Sequence, residues 1–244
     1  EILVLPDFFQ TIDTMAGFLT PILSHFPCCR ILIVGLPGCP YTKWPSSEIL
    51  NNSYLANSLD SLVRHLCTIN KWGYDRNIPR LIVGVGNGVM IGLNYLVYHL
   101  NVDNMYPVQR SSFHGFLTIN GFSYVDKTLT KIIKRLLSLP GMASHTERSL
   151  HIASLCIGEE YLNKSVSRKM ALSEYYSTRS GWRWNGADDV DTGAVNLLKG
   201  ALRHEDMRSH LAALDIPIIA VGSSDDHFIL PAHTKIFLSG ASEG

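Results

Sequence analysis

Apolar residues fall along this chain in two alternating patterns. Short runs rich in Ile, Val and Leu occur at Ile2–Leu5, Ile31–Val34, Leu81–Val85, Gly115–Ile119 and Ile216–Val221, the form expected of strands buried on both faces of a parallel sheet. Between the first two runs the spacing changes. Ile12, Met15, Phe18, Leu19, Ile22, Leu23 and Phe26 mark one buried face of a helix over Ile12–Phe26. Further helices are predicted over Leu55–Thr68 and Val89–Leu100. Strands that alternate with helices in this way build βαβ units, so the expected class is α/β with a doubly wound, mainly parallel sheet.

The regularity breaks at Asp126. Lys127–Leu139 reads as a basic amphipathic helix closed by Pro140-Gly141, and from there to Asp215 no run of the core-strand type occurs. An insertion of this length between core strands is expected over the carboxyl edge of the sheet. The chain is therefore divided into a core, 1–125 and 216–244, and a helical cap, 126–215, within one structural domain. The most polar and aromatic stretch of the cap is Ser180–Thr192, SGWRWNGADDVDT. Its Trp182, Arg183 and Trp184 combine aromatic and guanidinium groups of the kind that anchor protein interfaces. A tryptophan pair in a polar loop can equally pack against the sheet edge.

Composition narrows the partners. A chain of 244 residues that is 46% hydrophobic can bury one sizeable core. Lys+Arg and Asp+Glu stand at 21 each, so no domain-wide basic field exists to hold nucleic acid. No stretch reaches the roughly 20 apolar residues of a bilayer span. The five cysteines, with Cys28 and Cys29 adjacent, form no CxxC pair and no Cys/His cluster of zinc-ligand spacing; the expectation is no metal and a reduced, intracellular, cytoplasmic setting. Two glycosylation acceptors, Asn51-Asn52-Ser53 and Asn163-Lys164-Ser165, are of a kind common by chance. Glu1 lies inside an apolar run and Gly244 falls where another strand is expected, as in a piece of a longer protein.

Three stretches carry candidate chemistry. LIVGVGNGVMIGLNYL, residues 81–96, runs from strand to helix through Gly84-Val85-Gly86-Asn87-Gly88. RILIVGLPGCPYTKWP, residues 30–45, is a strand followed by a Pro/Gly turn, and IPIIAVGSSDDHFILPAH, residues 216–233, is a strand followed by an acidic loop. Together they resemble the α/β-hydrolase fold, in which a G-x-S-x-G elbow presents the nucleophile. Both outer glycines match and Gly86 stands in place of the serine. The resemblance implies that the Asn87 backbone N–H belongs to an oxyanion hole and that Asp225 is the likeliest relic of the acid. GVGNGVMIGLNYL followed by FHGFLTING, with the Asp7 loop, is also similar to the N-Myc downstream-regulated (NDR) family, which implies a hydrolase fold with no nucleophile and no hydrolase activity.

Acyl transfer needs an oxygen or sulfur nucleophile beside a histidine, and Gly86 supplies neither atom. For Asn87 the plain reading is a residue tolerant of unusual φ between glycines. Asp225 and Asp226 read equally as solvated or capping acids ahead of a helix near Pro231. His227 and His233 lie close by in sequence but do not match the position of the family's histidine, and most of the ten histidines read as surface or boundary residues. In Leu5-Pro6-Asp7-Phe8-Phe9, Pro6 lacks an N–H and Asp7 brings the wrong sign of charge to an oxyanion. The glycine spacing departs from G-x-G-x-x-G, so no dinucleotide cofactor is expected. The sequence leans against an enzyme and toward a pseudoenzyme that binds other proteins as a scaffold or complex subunit. The alternatives are a small-molecule receptor or an atypical hydrolase; a pocket filled by Phe8, Phe9 or Met90 would exclude the receptor.

Overall fold

The five apolar runs join into one sheet. The computed structural model describes residues 1–8, 10–37, 42, 48–73, 75, 77–98, 113–138, 150–152, 154, 155, 165–167, 170, 171 and 188–240. Strands β1 (Ile2–Leu5), β2 (Ile31–Ile33), β3 (Leu81–Val85), β4 (Gly115–Ile119) and β5 (Ile218–Val221) are all parallel, in the order β2-β1-β3-β4-β5. Leu5 pairs with Gly84 and Gly84 with Thr118. The loops leaving β1, β3 and β4 therefore emerge side by side at one edge.

Two strands are shorter than the apolar runs suggest. Pro217 has no N–H for the ladder, so β5 starts at Ile218, although the Pro217 carbonyl still accepts from Phe116 N–H at 2.9 Å. Val34 leaves β2 but keeps one bond, donating its N–H to the Val4 carbonyl at 3.1 Å.

The helices are α1 (Ile12–His25), α2 (Asn52–Thr68), α3 (Asn87–Tyr98), α4 (Lys127–Leu137), α5 (Asp188–Ala201) and α6 (Pro231–Gly240), with a 3₁₀ turn over Arg208–Ala213. Helix α2 begins three residues before the predicted Leu55 because the Asn51 side chain accepts the Tyr54 N–H at 2.9 Å and caps it. Helix α3 begins at Asn87, directly out of the glycine turn, and α4 stops at Leu137 rather than Leu139. Residues 139–149, with Pro140-Gly141, lie outside the described residues.

The pleat sorts the strand residues between two layers. Leu3, Leu5, Ile82 and Phe116 face the main cluster, which also takes Leu55, Leu59 and Val63 of α2, Leu129, Ile133 and Leu136 of α4, and Leu197 and Leu198 of α5. Both ends of the predicted cap thus pack into the core. Helix α3 is buried all round and runs through the middle of this layer, with every residue from Asn87 to Leu96 inaccessible or nearly so. On the other face Val4 and Val83 meet Met15 and Leu19 of α1. That face is covered only in part. Among the described residues no helix packs over β4 and β5 there, and Ile219 and Val221 are 65% and 49% exposed.

At the opposite edge of the sheet the Glu1 carboxylate lies between Arg80 Nε, at 2.7 Å, and Arg30 Nη2, at 2.6 Å. The Glu1 and Arg80 side chains are essentially inaccessible, whereas Arg30 is 39% exposed. Removing one partner of a buried pair leaves the other charge uncompensated. Arg80→Ala is expected to cost about 3–5 kcal/mol and Arg30→Ala about 1 kcal/mol or less, measured by urea denaturation. Equal losses would show that the two guanidinium groups share the load.

Candidate functional site

Strand β3 runs up the centre of the sheet and turns directly into α3 through Gly86. Gly86 has φ +51°, a left-handed conformation that favours glycine, and its N–H donates to the Ile119 carbonyl at 3.0 Å. Gly84 and Gly88 answer a different demand. A Cβ at Gly84 would lie 2.8 Å from Val89 Cα, and one at Gly88 would overlap the Leu5 carbonyl. The outer glycines are therefore required by backbone packed on backbone. Asn87 does not adopt an unusual φ, as the sequence suggested; the positive φ belongs to Gly86, and Asn87 is the first residue of α3 and fully buried.

A methyl group on Gly86 would overlap the carboxylate carbon and both oxygens of Asp7. The space in which a side chain at the apex would project is thus occupied from β1. The Asn87 N–H donates to Asp7 Oδ1 at 2.7 Å, and the Phe8 N–H also donates to this carboxylate. Asp7 is held by its own backbone: its N–H donates to Gln10 Oε1 at 2.9 Å and its carbonyl accepts from Gln10 N–H at 3.1 Å. Burial pushes the Asp7 carboxyl up to about 6, the two N–H groups oppose that shift, and the charge of Asp226 adds to it. Burial is the largest of these effects and outweighs the two hydrogen bonds.

The side chain of Asn87 reaches the other way. Its Oδ1 accepts from His204 Nε2 at 2.6 Å, and His204 Nδ1 accepts the Asn52 N–H at 3.0 Å. Because the amide can only donate, Nδ1 carries no proton and Nε2 does. Burial lowers His204 to about 3, which keeps it neutral, and Phe122 stacks on the ring at 6.3 Å. The Glu205 N–H closes the chain on Asn52 Oδ1 at 3.2 Å. This network joins the elbow to α2 and to the turn after α5. Its partners lie more than a hundred residues apart, so no local pattern in the sequence announced His204 or Asn52.

The remaining candidates separate. Asp225 is exposed: its carboxylate lies 3.4 Å from His227 Nε2, with both side chains about 60% exposed, and its N–H donates to Ser223 Oγ at 3.3 Å. Asp226 is the structural acid of the loop: its Oδ1 accepts the N–H groups of Phe228 and Ile229, each at 2.8 Å. His233, read from the sequence only as a neighbour of this loop, is fully buried, 3.3 Å from Asp126 Oδ2 and 4.9 Å from the Tyr124 ring. Burial lowers its pKa, and Asp126 opposes the shift. Asp126 also caps α4 through the Leu129 N–H at 2.6 Å. Phe8 and Met90 are buried in the core; Phe9, Trp182, Arg183 and Trp184 lie outside the described residues. A cavity of about 180 Å³ opens elsewhere, between β2 and α2, lined by Leu5, Val34, Leu36, Leu55, Leu59 and Ile91 among others. Among the described residues no group of three acids, histidines or cysteines is arranged to hold a metal ion, and no helix is long and apolar enough to cross a membrane.

No family model matches the sequence, and no curated protein is similar to it at the sequence level. Solved structures are similar in fold. MGS-M2, an α/β hydrolase enzyme from a Medee basin deep-sea metagenome library, superposes with a TM-score of 0.72 at 15% identity, over 98% of this chain and 76% of that one. BpoC of Mycobacterium tuberculosis gives 0.70 at 11% identity over 98% and 79%. The enol-lactonase of Burkholderia xenovorans gives 0.67 at 10% identity over 98% and 78%. The chain has the α/β-hydrolase fold. At these identities the likeness establishes architecture and leaves the chemistry to the residues themselves.

Two expectations follow from Asp7. Its folded pKa lies above the ordinary 3.8, so the native state binds the proton more tightly than the unfolded chain. Stability from this group is fully present below about pH 4 and is lost as pH rises through about 6, a fall on the order of 2–3 kcal/mol. Asp7→Asn is expected to flatten that slope in denaturation curves taken across this range; an unchanged slope would place the titration on another group. Gly86→Ser should destabilise by about 3 kcal/mol or more, with Asp7→Gly relieving part of the loss in a double-mutant cycle.

Proposed function

We propose that this chain is a non-catalytic α/β-hydrolase-fold module that serves as a protein-interaction or scaffold unit in a larger, intracellular assembly. The observation that carries the reading is the Asp7 carboxylate above Gly86. It fills the volume of a nucleophile's side chain and engages the Asn87 N–H that would otherwise stabilise an oxyanion. A carboxylate there opposes the negative charge that develops in acyl transfer. His233 sits beside Asp126, but an orienting pair without a nucleophile has nothing to activate. The similarity of residues 84–96 and 113–121 to the NDR family agrees with this reading, since that family combines the same turn with absent hydrolase activity.

The interaction surface we favour is the Trp182-Arg183-Trp184 stretch of the cap, on sequence grounds. The second reading is a small-molecule receptor. The cavity between β2 and α2 favours it, because its lining is mainly apolar with Thr42, Tyr54 and Ser58 as the polar groups. The burial of Phe8 and Met90 speaks against a ligand pocket over the elbow.

Purified protein is expected to resist labelling by a fluorophosphonate probe and to leave short-chain esters uncleaved, at the level of a heat-denatured control. Saturable ester turnover abolished by one point substitution would overturn the proposal. For the interface, Trp182→Ala and Trp184→Ala should remove a co-purifying subunit while circular dichroism stays native.

A further inference from the structure

The chain as a whole is neutral, but its charge is spread unevenly. Residues 127–183 carry ten Lys and Arg against four Asp and Glu, which leaves 11 Lys and Arg against 17 Asp and Glu in the rest. The basic excess includes one well-ordered element. Helix α4 bears Lys127, Lys131, Lys134 and Arg135, all exposed, and no acid. Positions i, i+4, i+7 and i+8 share one face of a helix, so the four cations form a stripe about 12 Å long. The opposite face, with Leu129, Ile133 and Leu136, is packed into the core and fixes the stripe outward. Asp126, next to Lys127 in sequence, is engaged by His233 and by the Leu129 N–H, and Arg135 meets His151 Nδ1 at 3.5 Å. Among the described residues no carboxylate forms an ion pair with any of the four.

A second feature lies in the same basic segment. Val166 and Met170, four positions apart, are 77% and 67% exposed, the highest values for large apolar side chains among the described residues. Lys164, Arg168 and Lys169 flank them in the sequence. Exposed apolar groups interleaved with cations suit a surface that is anionic at its boundary and apolar beneath, which describes a bilayer containing anionic lipid. Other anionic surfaces match less well. Interfaces between proteins are depleted in Lys and anchored by aromatic residues in pockets, whereas three of the four cations on α4 are Lys, flexible point charges without the planar fork that reads a particular acid. A nucleic acid would use the cations and leave Val166 and Met170 in water.

We propose that the cap docks peripherally on an anionic membrane leaflet, with Lys127, Lys131, Lys134 and Arg135 holding lipid headgroups and Val166 and Met170 entering the apolar boundary. The four cations take no part in the contact of Asp7 with Gly86, so lipid binding and ester turnover are independent readouts. The experiment is co-sedimentation of the purified chain with vesicles of phosphatidylcholine, alone or mixed with phosphatidylserine. The chain is expected to follow the mixed vesicles and not the neutral ones, and to be released between about 0.1 M and about 1 M sodium chloride, as the screening length falls from about 10 Å to about 3 Å. Each basic side chain near an anionic surface is worth about fivefold in partitioning, so Lys127→Gln, Lys131→Gln and Lys134→Gln together should weaken binding about a hundredfold. Lys71→Gln, Lys199→Gln and Lys235→Gln remove the same charge from exposed positions outside residues 127–183, and together should change binding by less than about fivefold. No retention at low salt, equal retention on neutral vesicles, or equal loss in the two triple variants would overturn the proposal. So would displacement by poly-glutamate at the same concentration of negative charge, which would make the stripe a site for an acidic protein. The wild-type comparison of two vesicle types at two salt concentrations stands even if a variant fails to fold.

Discussion

The interaction on which the elbow depends is the short hydrogen bond from the Asn87 N–H to the Asp7 carboxylate. It requires the loop after β1 and the first turn of α3 to lie within a few ångströms of each other. That approach in turn demands a bare α-carbon at Gly86, where the carboxylate sits, and at Gly88, where the Leu5 carbonyl sits. The central helix, buried on every side from Asn87 to Leu96, takes its position from this contact. The pairing of β1 with β3 fixes the same two segments from below.

A charge held in such a place is costly. Burial raises the Asp7 carboxyl to about 6 despite two N–H donors, so the ionised form stands at the limit of what the surroundings support. Chains do not usually keep a group of this kind in the core without a partner. Here the partners are main-chain dipoles rather than cations, and they act on the side of the sheet where open α/β folds hold their ligands. The same turn is tied to α2 and to the turn after α5 through Asn87, His204 and Asn52. A neutral histidine suits this role because it donates at one nitrogen and accepts at the other without importing charge.

The fold likeness to hydrolases spans nearly the whole chain at 10–15% identity in the three structures compared. What the likeness establishes at that distance is the arrangement of parallel strands and flanking helices. That arrangement is a demand of backbone geometry, and many side chains satisfy it equally.

Much of the architecture was legible along the chain. Apolar runs of four to six residues placed all five strands, because strands of a parallel sheet are largely covered by helices, although β5 keeps Ile219 and Val221 exposed on one face. Gly84 and Gly88 announced a turn where main chain meets main chain, and Gly86 announced a missing side chain. Strand and helix ends were less legible: the start of β5 was decided by Pro217, and the start of α2 by the cap at Asn51. Only the folded structure brought Asp7 over Gly86, His204 onto Asn87 and His233 onto Asp126. These partners are separated by 79, 117 and 107 positions in the sequence. The periodicity of a chain records which side of each element is buried, since burial acts residue by residue. It carries no record of which distant polar groups meet, because that is set by the register of strands and the angles of helices once they pack.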